Sequence, residues 1–200
     1  MVIGYHVIFG TYGFWLPNDP RGSWSDFVWS WELFRFGGKA TKTGTRRSVA
    51  SVSHDIAKRL EMKRHLKYPP VVFNGVQARA VARGFAKAVE ILQYPVYACS
   101  IMPEHVHLVF GRCRMEIEKV VRQLKQNATM RLKEENIHPL AAFDGPPKPW
   151  GESCWKVFLN HEESLRKAIR YVEENPIKEG KNGNTGRLLN RSTAFNCTGV

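Results

Sequence analysis

The stretch YPVYACSIMPEHVHLVFGR, residues 94–112, decides the fold. It reads as two strands, YPVYACSIM and HVHLVFGR, separated only by Pro103–Glu104. Side chains alternate along a strand, so His105, His107 and Val109 share one face and Val106, Leu108 and Phe110 the other. The second of these strands therefore carries two imidazoles about 7 Å apart on one face of an otherwise apolar element.

Helical periodicity flanks the pair on both sides. VQARAVARGFAKAVEIL (76–92) has apolar residues at helical spacing, with Gly84 tolerated inside. MEIEKVVRQLKQNATMRLKEEN (115–136) is amphipathic, with Ile117, Val120, Val121, Leu124 and Ala128 on the inward side. After a loop over 139–153, CWKVFLN forms a short strand, and a last helix runs from His161 to Asn175. Asn160 is placed to cap it with Glu163 close to a capping box, and Leu165, Ala168, Ile169 and Val172 make its core stripe. Near the start, VIGYHVIFGTY (2–12) alternates as a first strand, and LPNDPRGSW (16–24) is turn chemistry.

The segment between is less regular. DFVWSWELFRF is compatible with a helix or a hairpin, GGKATKTGTRRS (37–48) reads as a flexible basic loop, and SHDIAKRLEMKRHL (53–66) as a basic helix capped by Ser53. The order strand, insertion, helix, strand, strand, helix, strand, helix predicts an α+β fold: a ferredoxin-like antiparallel sheet with packed helices. We read residues 1–200 as one domain, with 18–75 a basic, aromatic-rich insertion after the first strand and 181–200 a basic tail.

Thirty Lys plus Arg against 18 Asp plus Glu give a net charge of +12. That excess points to an anionic partner, nucleic acid first. A 43% hydrophobic share and six tryptophans exclude a disordered chain. No apolar run reaches the roughly 18–20 residues of a membrane span, and the start lacks the charged region of a signal peptide. Cys99, Cys113, Cys154 and Cys197 form no C-x-x-C pair and read as reduced thiols of a cytoplasmic protein, Cys99 and Cys113 within strands.

His105 and His107 amount to half of a metal site, because two ligands alone hold an ion poorly. The last helix offers further groups. At about 100° per residue, Tyr171 and Asn175 lie roughly 40° apart on one flank of the core stripe. Pro176 is expected to end the helix at Asn175. Each feature alone has an ordinary structural explanation: hydrogen-bonded core histidines, a boundary tyrosine, a C-terminal asparagine.

Together, MPEHVHLVF and the later IRYVEENPIKEG resemble the single-tyrosine HUH transposases, where HUH denotes His-hydrophobe-His. The likeness is to the REP-associated and insertion-sequence transposase group, and TYGFWLPNDPRGSW is similar to the N-terminus of a longer subgroup. It covers the first strand and most of 76–180. One departure is Glu104, where the family usually has Asn or Asp. The resemblance implies Tyr171 as the nucleophile, with His105, His107 and Asn175 holding Mg²⁺ or Mn²⁺. The activity implied is nicking and strand transfer of single-stranded DNA beside a hairpin or palindromic repeat, through a 5′-phosphotyrosine, by a monomer or homodimer. A domesticated, non-catalytic hairpin-binding module is the alternative from a different class.

The insertion interleaves Trp24, Trp29, Trp31 and Phe36 with cations, a pattern suited to stacking and gripping single strands. The expected DNA contacts there are Arg21, Arg35, Lys39, Lys42, Arg46 and Arg47. Arg122, Lys125 and Arg131, on the helix after the third strand, are further phosphate candidates.

Overall fold

The computed structural model describes residues 1–45, 49–178, 184–190 and 193–199, with side chains through residue 175. Its elements in order are β1 (Gly4–Gly10), α1 (Trp31–Gly37), α2 (Ile56–Arg64), α3 (Gly75–Leu92), β2 (Val96–Ile101), β3 (His105–Gly111), α4 (Ile117–Glu134), β4 (Trp155–Leu159), α5 (Glu162–Lys178), β5 (Asn184–Asn190) and β6 (Thr193–Gly199). They fall into two units, Met1–Thr11 with Val71–Val200, and Tyr12–Pro70.

The first unit holds one sheet in the order β4-β1-β3-β2-β6-β5. β1 pairs antiparallel with β3 and β4, and β2 antiparallel with β3. The run β4-β1-β3-β2, with helices between β1 and β2 and between β3 and β4, is the ferredoxin-like α+β arrangement. β5 and β6, which fall within the stretch read from its composition as a tail, extend this sheet: β6 pairs parallel with β2, and β5 antiparallel with β6.

The two faces of the sheet bury different layers. Phe9 on β1 meets Phe85 of α3 and Trp150, at centroid distances of 6.0 and 5.7 Å, while Val106, Leu108 and Phe110 are fully buried. α3 and α4 share this layer and pack tightly on each other. On the other face, Ala98, Val109 and Leu159 form a cluster with Ala168 and Val172 of α5, with Leu165 and Ile169 against it. The core stripe read from the sequence is therefore the one buried, and α5 covers the face a plain ferredoxin-like fold leaves open.

Local chemistry accounts for the helix boundaries. α3 starts at a capping box in which Asn74 and Gln77 each bond the other's backbone N–H, and it stops at Gln93 in the left-handed region. α2 is capped by Asp55, whose carboxylate accepts from the Lys58 N–H, rather than by Ser53. At α5 the Leu165 N–H bonds the His161 carbonyl, so His161 and not Asn160 takes the cap position. The same helix continues to Lys178 across Pro176 instead of ending at Asn175. A proline removes one N–H from a helix already held along its length by its packed stripe, and here packing prevails over the local preference.

The second unit begins at Tyr12 and ends at Pro70, against the 18–75 read from the sequence. Its small core is Leu16, Leu33 and Met62, flanked by Val28 and Leu66. The turn LPNDPRG is built around buried polar groups. Asn18 donates to the Leu33 and Gly38 carbonyls at 2.7 and 3.1 Å, and fully buried Asp19 binds Arg21. The ambiguous DFVWSWELFRF resolves into α1, capped by Ser30. Among the described residues no helix is long and apolar enough to cross a membrane. Cys99 is buried within β2, and Cys113 lies just beyond β3.

Candidate functional site

β3 delivers His105 and His107 to the face covered by α5, with ring centroids 4.9 Å apart and nearly perpendicular. His107 is buried and His105 partly exposed. The Tyr171 ring from α5 packs edge-on to His107 at 5.6 Å, within one chain. Tyr171 remains 43% exposed, so its phenol is accessible from solvent. One turn later Asn175 is buried, and its Nδ2 has no hydrogen-bond partner among the described residues.

A fifth residue joins the cluster, one that the sequence reading passed over. In the β1–β3 register Ile8 lies opposite His107 and Val109 opposite His6, so His6 and His107 are diagonal neighbours on the same face. His6 Nε2 is 3.1 Å from His107 Nδ1, the rings are stacked at 5.4 Å, and His6 lies 5.9 Å from the Tyr171 ring. The signal was present. VIGYHVIFG alternates, His6 shares a face with Ile8, and the ferredoxin order puts β1 beside β3.

Burial decides the charge state here. It pushes the His6 pKa down to about 4, and burial with the adjacent His105 and His6 pushes His107 down to about 2. Both rings are therefore neutral at physiological pH and keep a lone pair for a cation. Glu104, the departure from the family pattern, contributes its backbone: its carbonyl accepts from the Thr11 N–H at 2.8 Å.

The expected phosphate contacts fare less uniformly. Arg21 is turned inward, forked onto Asp19 at 2.8 Å through both Nε and a terminal nitrogen, with its guanidinium 3.8 Å above the Trp15 ring. Its side chain is 7% exposed, so in this structure its charge is engaged with Asp19. Lys125 is also buried, donating to the Gly151 and Ser153 carbonyls at 2.7 and 3.2 Å, and burial lowers its pKa to about 8. In this structure it anchors the loop that carries Gly151 and Ser153. Arg131 pairs with Glu134 and Glu135, and Arg122 is exposed. All three α4 residues belong to the layer across the sheet from the histidines.

In the second unit Arg35 and Lys39 are exposed, and Lys42 pairs with Asp26. Arg46 and Arg47 lie outside the described residues. The aromatics of this unit are largely unburied: Trp29 is 88% exposed, and Trp24, Trp31 and Phe36 are exposed too. Trp31 stacks on Phe34, and Phe36 on His65.

A ferredoxin-like sheet with a His-hydrophobe-His strand and a tyrosine on the helix that covers it is HUH-endonuclease-like in fold. A family model described as "Transposase IS200 like" matches residues 64–175, more than half of the chain, and the chain belongs to that family. The match ends at Asn175 and leaves out β1 and nearly all of the second unit.

Among solved structures, the chain is similar to a REP-associated tyrosine transposase bound to a REP hairpin, at 12% identity and a TM-score of 0.47, over 88% of this chain and 68% of that one. It is also similar to a protein of Deinococcus radiodurans R1 provisionally termed a transposase, at 15% identity and 0.43, over 88% and 91%. A comparison with curated protein sequences gave no match.

Proposed function

We propose that this transposase nicks and rejoins single-stranded DNA beside a hairpin through Tyr171. The observation that carries the reading is the packing of the Tyr171 ring against His107, whose ring in turn meets His105, within one chain. The Tyr171 oxygen attacks the phosphorus, the bond to the 3′ oxygen breaks, and the phenol proton is transferred overall to the released 3′-hydroxyl. The 5′-phosphate stays on the tyrosine, conserving the bond energy for rejoining to another end.

The residues fit a divalent cation. His105 and His107 supply imidazole nitrogens, the His6 and His107 rings are held neutral, and Asn175, one turn after Tyr171 on α5, carries an amide oxygen of the kind such cations take. His105, His107 and Asn175 would hold Mg²⁺ or Mn²⁺, which when bound would polarise the scissile phosphate and offset its charge. Since the tyrosine and histidines of a single chain meet, the reading does not need a second copy to complete the site. The exposed aromatics and the cations Arg35 and Lys39 support stacking of the single strand on the second unit.

The test uses hairpin-bearing single-stranded oligonucleotides from repeats flanking the gene, with Mn²⁺ or Mg²⁺. The native protein is expected to form a covalent adduct that requires metal, and Tyr171→Phe to form none. Tight hairpin binding with no adduct under either metal would replace this reading with that of a binding module.

A further inference from the structure

His6 touches both the proposed ligand His107 and the proposed nucleophile Tyr171, yet it lies on β1, outside the family match. Its Nε2 occupies the Nδ1 side of His107, leaving Nε2 as the His107 nitrogen that His6 does not engage. A neutral imidazole has one N–H and one lone pair, so the partner at one nitrogen decides which chemistry the other offers. If His6 donates, His107 keeps its proton on Nε2 and cannot ligate through it. If His6 accepts, His107 carries its proton on Nδ1 and presents a lone pair at Nε2.

We infer that His6 is a positioning residue that accepts the His107 Nδ1–H, fixing the tautomer and ring orientation in which Nε2 is available to a divalent cation. This deepens, and rests on, the metal-dependent reading above. Ligating histidines ordinarily give their second N–H to a carboxylate or carbonyl. Here that place is taken by a neutral imidazole from the adjacent strand. The β1–β3 register makes the arrangement rigid, because both rings project from paired backbone and lie stacked against each other. Moving His6 by one residue would send it to the opposite face and leave His107 without this acceptor.

Two measurements test it. Long-range ¹H–¹⁵N spectra of the metal-free protein near neutral pH, with His107 assigned through His107→Gln, should show the proton on Nδ1 in the native chain. That preference should be lost in His6→Phe, which keeps the ring and removes the acceptor. A native His107 protonated at Nε2 overturns the inference.

Mn²⁺ titration followed by electron paramagnetic resonance should then show binding weakened about 10- to 100-fold in His6→Phe, with part restored in His6→Gln, whose amide oxygen can accept. Unchanged Mn²⁺ affinity in a folded His6→Phe overturns it as well. Should His6→Phe fail to fold, the native tautomer and the His6→Gln affinity still decide. A native chain that binds no Mn²⁺ defeats the metal reading, while the tautomer spectrum separately judges the His6–His107 pairing.

Discussion

At Arg21 a charge that suits a phosphate is spent inside the protein. Asp19 is fully buried, and the Arg21 fork is what neutralises it. Removing one partner of a buried pair leaves an uncompensated charge, at roughly 3–5 kcal/mol. Arg21→Ala is therefore expected to lower the stability of the 12–70 unit by about that amount, read as lost hydrogen-exchange protection in Asn18–Gly38. Full protection together with reduced DNA binding would return Arg21 to the phosphate contacts. Nothing local in PNDPRGS separates the two roles, because the turn is held from outside it: Asn18 donates to the Leu33 carbonyl on α1, and the Thr41 hydroxyl donates to the Asp19 carbonyl. Lys125 was illegible for the same reason: its acceptors are carbonyls of a loop far along the chain. The neighbourhood of His105 with His107 and of Tyr171 with Asn175 was legible because each pair lies within a single element, β3 and α5, and the family resemblance joined the two pairs.

Between α3 and α4 the constraint is backbone proximity. A Cβ at Gly84 would lie 2.5 Å from Ala128 Cα and 2.7 Å from both Ala128 N and Asn127 O. Alanine would gain about 1 kcal/mol of helix propensity over glycine. The clash is with rigid backbone, however, so the helices must separate, and overpacking of that kind costs roughly 1–3 kcal/mol or more. Gly84→Ala is expected to be destabilising on balance, and Gly84→Val more so, in urea midpoints. A raised midpoint for Gly84→Ala would show that the helices have room. From sequence Gly84 was only a tolerated residue, since helical periodicity shows which face is buried but not how near the partner helix comes. Element type was legible almost throughout. The differences were β5 and β6, which fall in the stretch read as a tail, and caps and ends, where Asp55, His161 and the passage through Pro176 depend on packing that a window of neighbouring residues does not contain.

Over the whole sheet-bearing unit, burial lowers the pKa values of His6, His107 and His138. Below 6.5 the unfolded chain takes up protons that these folded sites refuse. Stability is therefore fully present above pH 6.5 and is lost as pH falls toward about 4 for His6 and further for His107. The denaturant midpoint of the metal-free protein is expected to drop between pH 7 and pH 5. A flat profile over that interval would mean the rings are charged and solvated. The charge of +12 was legible from composition, but its distribution was not: the cations on α4 lie across the sheet from the histidines, and two of the expected contacts are buried.

The Thr11 hydroxyl is 2.6 Å from the Val71 carbonyl, and these two residues bracket the whole 12–70 segment. The host sheet therefore experiences that segment as a short stitch. Its two ends are already held together, so the closure entropy hardly grows with what is threaded between them. Length and content of the segment become nearly free variables for descent. A lineage can enlarge, trim or replace it while β1 keeps its register with β3 and the histidine face stays intact. On the proposed reading, in which the 12–70 segment contacts DNA, substrate preference can thus diverge on a timescale separate from that of the proposed reaction centre.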